Sequence, residues 1–459
     1  MRAVAFCAVL SPAIRTTPTL VQAAAMSTVS PRSSTSSSPA SVRVVSYNVL
    51  SSKLARTSHF TKSDPEHLCF ANRRALVLDK IDHAIATSLP DCPTVVALQE
   101  VCYPFACELH TYFANRGYAF VTGLYGRRFN GYMGVGLAYP LNEFETINVD
   151  IERLSDKREG GWPKEPETED GAMISKIVQS IQRGAASVAL RTLKSLRSNI
   201  KRIGYNGGPA DERDPIDPWD MSEKRFNVLL TVSLRERKSG AVFSVSNYHM
   251  PCAFFAPPVM NIHADLAARR VQMLAEKTWL SLNSEENTAV DASVDASARR
   301  IPYIFAGDFV SVLDYACVSC ALLRYPSSSP LIRIIETIQN ILPDSPHYKL
   351  LTTGALNESD ATYPPAKHGV PWKIQMLPMD SAYFLANSTE PEFTNYAQVK
   401  DEEPFIGTLD YIFLSKHEWR IRTVKELPSI ADSGGPFPNE EEPSDHLLIY
   451  ADIELHLTK

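Results

Sequence analysis

The runs LDYIFLS at 409–415 and SDHLLIYADIEL at 444–455 decide how this chain is read. Both have strand length and are rich in β-branched, aromatic and aliphatic residues. Yet each opens on polar side chains that an apolar strand has no packing reason to carry: Asp410 in the first, Asp445 and His446 in the second. Working outward, six further runs have the same character: VRVVSYNVL (42–50), TVVALQEV (94–101), YMGVGLAYP (132–140), FNVLLTVSLRE (226–236), AVFSVSNYHM (241–250) and IPYIFAGDF (301–309). Between them, residues 70–88, 106–116 and 259–282 carry apolar side chains at helical spacing. Strands interleaved with helices predict a mixed α/β layer fold around one core.

The 459 residues hold 46 Lys and Arg against 52 Asp and Glu, with 44% hydrophobic residues, which is a globular composition. A net charge of −6 excludes a chain that coats nucleic acid or anionic membrane by bulk charge and leaves room for a local basic cleft. The sequence contains no apolar run of about 18 residues, so no transmembrane helix is expected. Eight cysteines are too sparse for a disulfide scaffold and point to a reducing compartment. Cys317 and Cys320 form one CxxC without the second ligand pair of a zinc site, which favours an accidental spacing.

Residues 1–41 contain Arg2, Arg15 and Arg32 but no acid, and become rich in Ser, Thr and Pro. They are read as a disordered leader or a mitochondrial or other organellar targeting segment. The apolar run at 3–10 with Ala23, Ala24 and Ala25 also fits a secretory signal, and a start at Met26 would leave a cytoplasmic protein. Residues 42–459 are read as a single domain with three inserts. The first, 159–221, opens with GGWPKEPETEDG, runs through a basic helical stretch including Arg191, Lys194 and Arg197, and closes with GGPADERDPIDPWD. Its basic face is either a solvated surface or one for an acidic partner or nucleic acid. The second, 284–299, is a polar connector, and the third is 310–339.

Polar residues recur where strands end: Asn48, Glu100, His249, Asp308, Asp410, Asp445 and His446. One strand-end carboxylate is ordinarily a turn former or helix cap. Together they are oxygen donors of the kind that hold Mg²⁺ or Mn²⁺, with two imidazoles able to handle protons. In the order SYNVL, LQE, NYH before a helix, GDF, LDYIFLS and SDH, the chain resembles the endonuclease/exonuclease/phosphatase superfamily, nearest its deadenylase and phosphodiesterase-like branches. The resemblance implies a four-layer sandwich, two mixed sheets face to face and flanked by helices, and metal-dependent phosphodiester hydrolysis. It implies Glu100 as the principal Mg²⁺ or Mn²⁺ carboxylate, with Asn48 beside it and Asp445 closing the shell. It implies Asp308 as the residue that orients or deprotonates water, and His446 as a contact to the scissile phosphate, oriented and kept protonated by Asp410. His249 becomes a phosphate contact or general acid, and Asn247 of the same NYH element a substrate contact. The NYHM segment favours RNA as substrate and the protein is expected to act as a monomer. The alternatives are a small-molecule phosphatase or phosphodiesterase and a catalytically impaired relative that binds through the basic insert.

The departure from the family comes at GDF, where an asparagine is expected two positions after the aspartate, on the same strand face. Val310 stands there. Removing residues 310–339 would join GDF to Asn340 and restore GDFN, making Asn340 the expected catalytic asparagine. The segment is a whole number of codons, and Val and Gln codons can supply the GT and AG ends of an intron. It is therefore read as a translated intron; a true insertion and an active-site lid are the alternatives.

Overall fold

The computed structural model describes residues 39–166, 216–253, 256–284, 299–309, 343 and 345–456. Residues 1–38, the basic stretch of the first insert, Cys317, Cys320, Val310 and Asn340 lie outside the described residues.

Two six-stranded mixed sheets form the centre. The first contains β1 (Ser41–Asn48), β2 (Thr94–Val101), β3 (Tyr118–Leu124), β4 (Gly134–Pro140), β13 (Trp419–Val424) and β14 (Ile449–Leu455), in the order β13-β14-β1-β2-β4-β3. The second contains β5 (Phe144–Arg153), β6 (Val228–Glu236), β7 (Val242–His249), β8 (Tyr303–Asp308), β9 (Met379–Ser381) and β12 (Asp410–Ser415), in the order β5-β6-β7-β8-β12-β9. Strands β10 (Asn395–Ala397) and β11 (Phe405–Gly407) pair separately. Parallel neighbours need a crossover, and helices supply it. Helix α1 (Phe70–Ala86) carries the chain from β1 to its parallel partner β2, and α4 (Pro257–Ser284) carries it from β7 to β8. Helices α2 (Tyr103–Ala114), α3 (Pro218–Glu223) and α5 (Pro346–Thr353) complete the outer layers. Ser345 caps α5 by accepting from Tyr348 N, Pro346 opens it, and Gly354 ends it in a left-handed conformation.

Period-two alternation sorts the core into layers. On β1, Val42 and Val44 face the interior between the sheets, whereas Val45 and Tyr47 pack with α1 and α2. On β8, Ile304 and Ala306 face the same interior while Tyr303 and Phe305 pack against α4. Helix, sheet, sheet and helix therefore stack as four layers.

Several expectations need correction. Strands β3, β5, β9, β10, β11 and β13 were not foreseen; β5 and β13 lie at sheet edges, and Glu145, Asp150, Glu152 and Arg153 on β5 and Arg420 and Arg422 on β13 interrupt their apolar residues. The last strand starts at Ile449, so Asp445 and His446 precede it, and His446 bridges instead to Asn395. The first strand starts at Ser41 and Ala40 is already buried. At the ends of the 159–221 segment, Glu159, Gly160, Gly161 and Ile216 are exposed, while Trp219 is 1% exposed, donates from Nε1 to Pro365 O at 2.7 Å and meets Trp162 edge-on.

Candidate active site

The inward register that places Ile304 and Ala306 between the sheets places Asp308 there too. The same parity turns Asn48, His249 and Asp410 inward, following Val44, Val245 and Ile412. Asp308 pairs in register with His249 on one side and Asp410 on the other, so three adjacent strands present a row of His, Asp and Asp. Glu100 is the exception. Val95, Ala97 and Gln99 give the inward side of β2, so regular alternation would send Glu100 out towards the helices. A left-handed φ of 57° at Glu100, beside an irregularity between Leu98 and Val101, breaks the alternation. Its carboxylate thereby reaches Asn48 Nδ2 at 3.4 Å and Ser51 N at 2.8 Å.

The site is a connected chain of buried polar contacts. Asn48 Nδ2 donates to Asp308 Oδ2 at 2.8 Å and lies 3.5 Å from His446 Nε2. His446 Nδ1 is 2.8 Å from Asp410 Oδ2 and its Nε2 is 3.6 Å from Asp308 Oδ2. Burial opposes the imidazolium, but Asp410, Asp308 and Asp445 together outweigh it and hold the His446 pKa well above the usual value. Burial, then the Asp445 charge, pushes Glu100 up to about 7. Burial raises Asp445 and, with help from Asp410, raises Asp308 well above the ordinary carboxyl range.

His249 behaves differently from His446. Burial and the positive His446 push its pKa down to about 3, so it is a neutral imidazole even though its Nε2 lies 3.7 Å from Asp308 Oδ2. Its Nδ1 is 3.1 Å from Tyr125 Oη. Of the two roles expected of His249, a phosphate contact suits a neutral imidazole. The Asn48 oxygen accepts from Leu50 N at 2.9 Å, which turns its NH₂ group, a donor, towards the carboxylates. Asn247 is not placed for substrate. It donates both amide hydrogens, to Leu98 O at 2.9 Å and Gly136 O at 2.8 Å, and accepts from Gln99 Nε2 at 2.8 Å.

The donor chemistry fits a hard divalent cation such as Mg²⁺ or Mn²⁺. Glu100 and Asp445 are buried carboxyls whose mutual repulsion a cation would relieve, and beside Asp445 the buried Asn395 Oδ1 has no hydrogen-bond partner among the described residues. Asp308, Asp410 and His446 also lie close enough to share an ion. Both nitrogens of His446 already face carboxylates, and protons there would satisfy that trio without an ion.

No family model matches the chain. Over 83 residues it is 39% identical to carbon catabolite repressor protein 4 homolog 4 of Arabidopsis thaliana, a match covering 17% of this chain and only 18% of that relative's length. Among solved structures, ANGEL2, a 2′,3′-cyclic phosphatase in complex with adenosine-2′,3′-vanadate, has a TM-score of 0.52 at 18% identity, over 91% of this chain and 97% of its own. The chain shares the fold of that protein. The catalytic domain of human Nocturnin gives a TM-score of 0.46 at 16% identity over 92% of this chain and 96% of its own.

Residues outside the motifs quoted from the sequence adjoin the site. Thr394 Oγ1 accepts from Leu409 N at 2.9 Å and Asp410 N at 3.0 Å, fixing the start of β12. Arg73, fully buried on α1, donates to Pro443 O, Val49 O and Leu50 O, joining the loop that bears Asp445 to the one after Asn48. Arg225 lines the cavity that contains Glu100 and His249, and among the described residues its buried Nε and Nη2 have no hydrogen-bond partner. None announces itself in sequence, because each partner lies far along the chain.

Proposed function

We propose that the protein is a Mg²⁺- or Mn²⁺-dependent hydrolase of phosphoric ester bonds acting on RNA. The supporting observation is the in-register row of His249, Asp308 and Asp410, closed by the cationic His446 across Asn48 and Glu100. When bound at Glu100 and Asp445, the metal supplies positive charge that offsets the charge on phosphoryl oxygens. His446, oriented through Nδ1 by Asp410, presents an N–H from Nε2 to a phosphoryl oxygen. Asp308, held by Asn48, positions the attacking water and takes its proton. Neutral His249, set by Tyr125, offers a further contact to the substrate.

The test is turnover of end-labelled oligoadenylate, mixed-sequence RNA, single-stranded DNA and RNA ending in a 2′,3′-cyclic phosphate, each with Mg²⁺ and with EDTA. RNA turnover in Mg²⁺, abolished by EDTA and by Asp308→Ala, is expected. Turnover unaffected by EDTA, or none on any substrate, would refute the reading. ANGEL2's named activity is the reason for including the cyclic end.

A further inference from the structure

A second surface adjoins the active site. A cleft of about 820 Å³ is walled by Ser52, Lys53, Arg56, Arg127, Arg128 and Phe129. Lys53 and Arg56 belong to the loop after β1, whose Ser51 amide holds Glu100; Arg127, Arg128 and Phe129 belong to the turn between β3 and β4. The two loops are fastened together. Arg56 donates to Lys53 O and, at 3.0 Å, to Phe129 O; Ser51 Oγ donates to Asn130 O at 2.8 Å; and Asn130 Oδ1 accepts from Arg127 N at 2.7 Å.

The four cations are exposed, no carboxylate lines the cleft, and among the described residues none of the four makes an ion pair. In a chain of net charge −6, four exposed cations on one wall with no carboxylate lining it form a local positive patch suited to an anion. Flat aromatic faces accompany them. Phe129 is 51% exposed, and Tyr103 stacks on Tyr132 with ring centroids 5.0 Å apart, both rings exposed. Phe129 also lines the cavity that contains Glu100 and His249, so cleft and active site share a wall.

We infer that this cleft is the track for a single RNA strand, its phosphates on Lys53, Arg56, Arg127 and Arg128 and its bases against Phe129 and the Tyr103–Tyr132 pair. The strand passes Phe129 to bring one linkage to Glu100 and His249. Cations interleaved with aromatic faces are the chemistry of sequence-tolerant single-strand binding. The inference rests on the proposed RNA reading, and it places strand binding here instead of on the basic stretch within 159–221.

Binding of a fluorescent oligoadenylate of about a dozen nucleotides to the full chain, followed by anisotropy in EDTA so that the strand stays intact, tests it. Four phosphate contacts predict a log–log salt slope of about −2.8, or roughly a 50-fold loss of affinity between about 50 and about 200 mM salt. The combined variant Lys53→Gln, Arg56→Gln, Arg127→Gln, Arg128→Gln should lose most of that slope and bind about tenfold or more weakly at low salt. Because Arg56 and Arg127 also support the loops, the pair Lys53→Gln and Arg128→Gln is the second variant, expected to flatten the slope by about 1.4. An unchanged slope in both variants would overturn the inference, as would binding to phosphatidylserine vesicles with none to RNA. Wild-type turnover of an adenylate dinucleotide in Mg²⁺ separates the two readings. Salt-dependent RNA binding without turnover supports the cleft and refutes the hydrolase, whereas turnover with RNA affinity indifferent to these cations refutes the cleft alone.

Discussion

Asp410 is the register partner of Asp308 across two antiparallel strands, and their carboxylates flank the same imidazole, 2.8 Å and 3.6 Å from the two nitrogens of His446. A carboxylate whose task is to orient and charge a ring has nothing left to orient once the ring is gone. The losses in kcat/KM from His446→Ala and Asp410→Ala should therefore not add. The double variant should fall within about threefold of His446→Ala alone, and multiplicative losses would place the two residues in separate roles.

Glu100 should be measurable without substrate. A ligand that binds only the folded state stabilises it, by about 2.7 kcal/mol at a hundred times its Kd. Mg²⁺ or Mn²⁺ should raise the Tm of the wild type, while Glu100→Gln, which keeps shape but loses charge, should lose most of that rise. Its activity should fall by about 100-fold or more. An equal metal-induced rise in both proteins would remove Glu100 from the cation site.

His263 sets an acid limit on stability away from the site. Its Nε2 donates to Ser222 O at 3.2 Å, and its Nδ1 accepts from the Tyr248 hydroxyl at 3.0 Å, so both nitrogens are satisfied in the neutral form. Burial, followed by Arg225, pushes its pKa down to about 3. The unfolded chain, with an ordinary histidine pKa near 6.5, binds the proton first. The contribution is thus fully present above about pH 6.5 and is lost as pH falls towards 3, at up to about 1.4 kcal/mol per pH unit. Urea midpoints measured from pH 7 to 4 should decline with a slope that His263→Gln reduces; an unchanged slope would contradict the neutral assignment.

Phe309 is fully buried and donates to Leu409 O at 2.9 Å, so the chain is held in place up to the residue after Asp308. If residues 310–339 are a translated intron, deleting them sets Asn340 two positions after Asp308. The shortened protein should then exceed the 459-residue chain by about 100-fold in turnover, the scale of a 1 Å misplacement at a reacting centre. Transcripts joining the Phe309 and Asn340 codons should predominate. Equal turnover of the two forms, with only the long transcript present, would make the segment a working loop.

Asn48, His249, Asp308 and Asp410 were legible in the sequence because they end apolar runs at the positions where period-two alternation faces inward. Glu100 was legible from its motif but not from its period, since only a left-handed backbone at that residue turns it into the site. The orientation of the Asn48 amide and the neutral state of His249 depend on Leu50, Tyr125 and His446 as spatial neighbours, which no local pattern encodes. Strands β5 and β13 escaped notice for a related reason. An edge strand faces solvent on more of its surface, so charged residues dilute the apolar signal on which strand recognition depends.

The bond from Gln99 to Asn247 joins the two sheets one rung behind the chemistry: Gln99 precedes Glu100 on one sheet, and Asn247 stands two residues before His249 on the other. An apolar interface fixes the distance between two sheets but not their lateral alignment, since one greasy surface glides over another at little cost. A polar bolt across that interface prevents shear. It makes the alignment of the candidate site and thermodynamic stability separable properties of this protein. Leucine in place of both residues would leave a well-folded sandwich whose halves no longer meet in the right place, so a variant library screened only for solubility or melting temperature would accept changes that pull the candidate site apart.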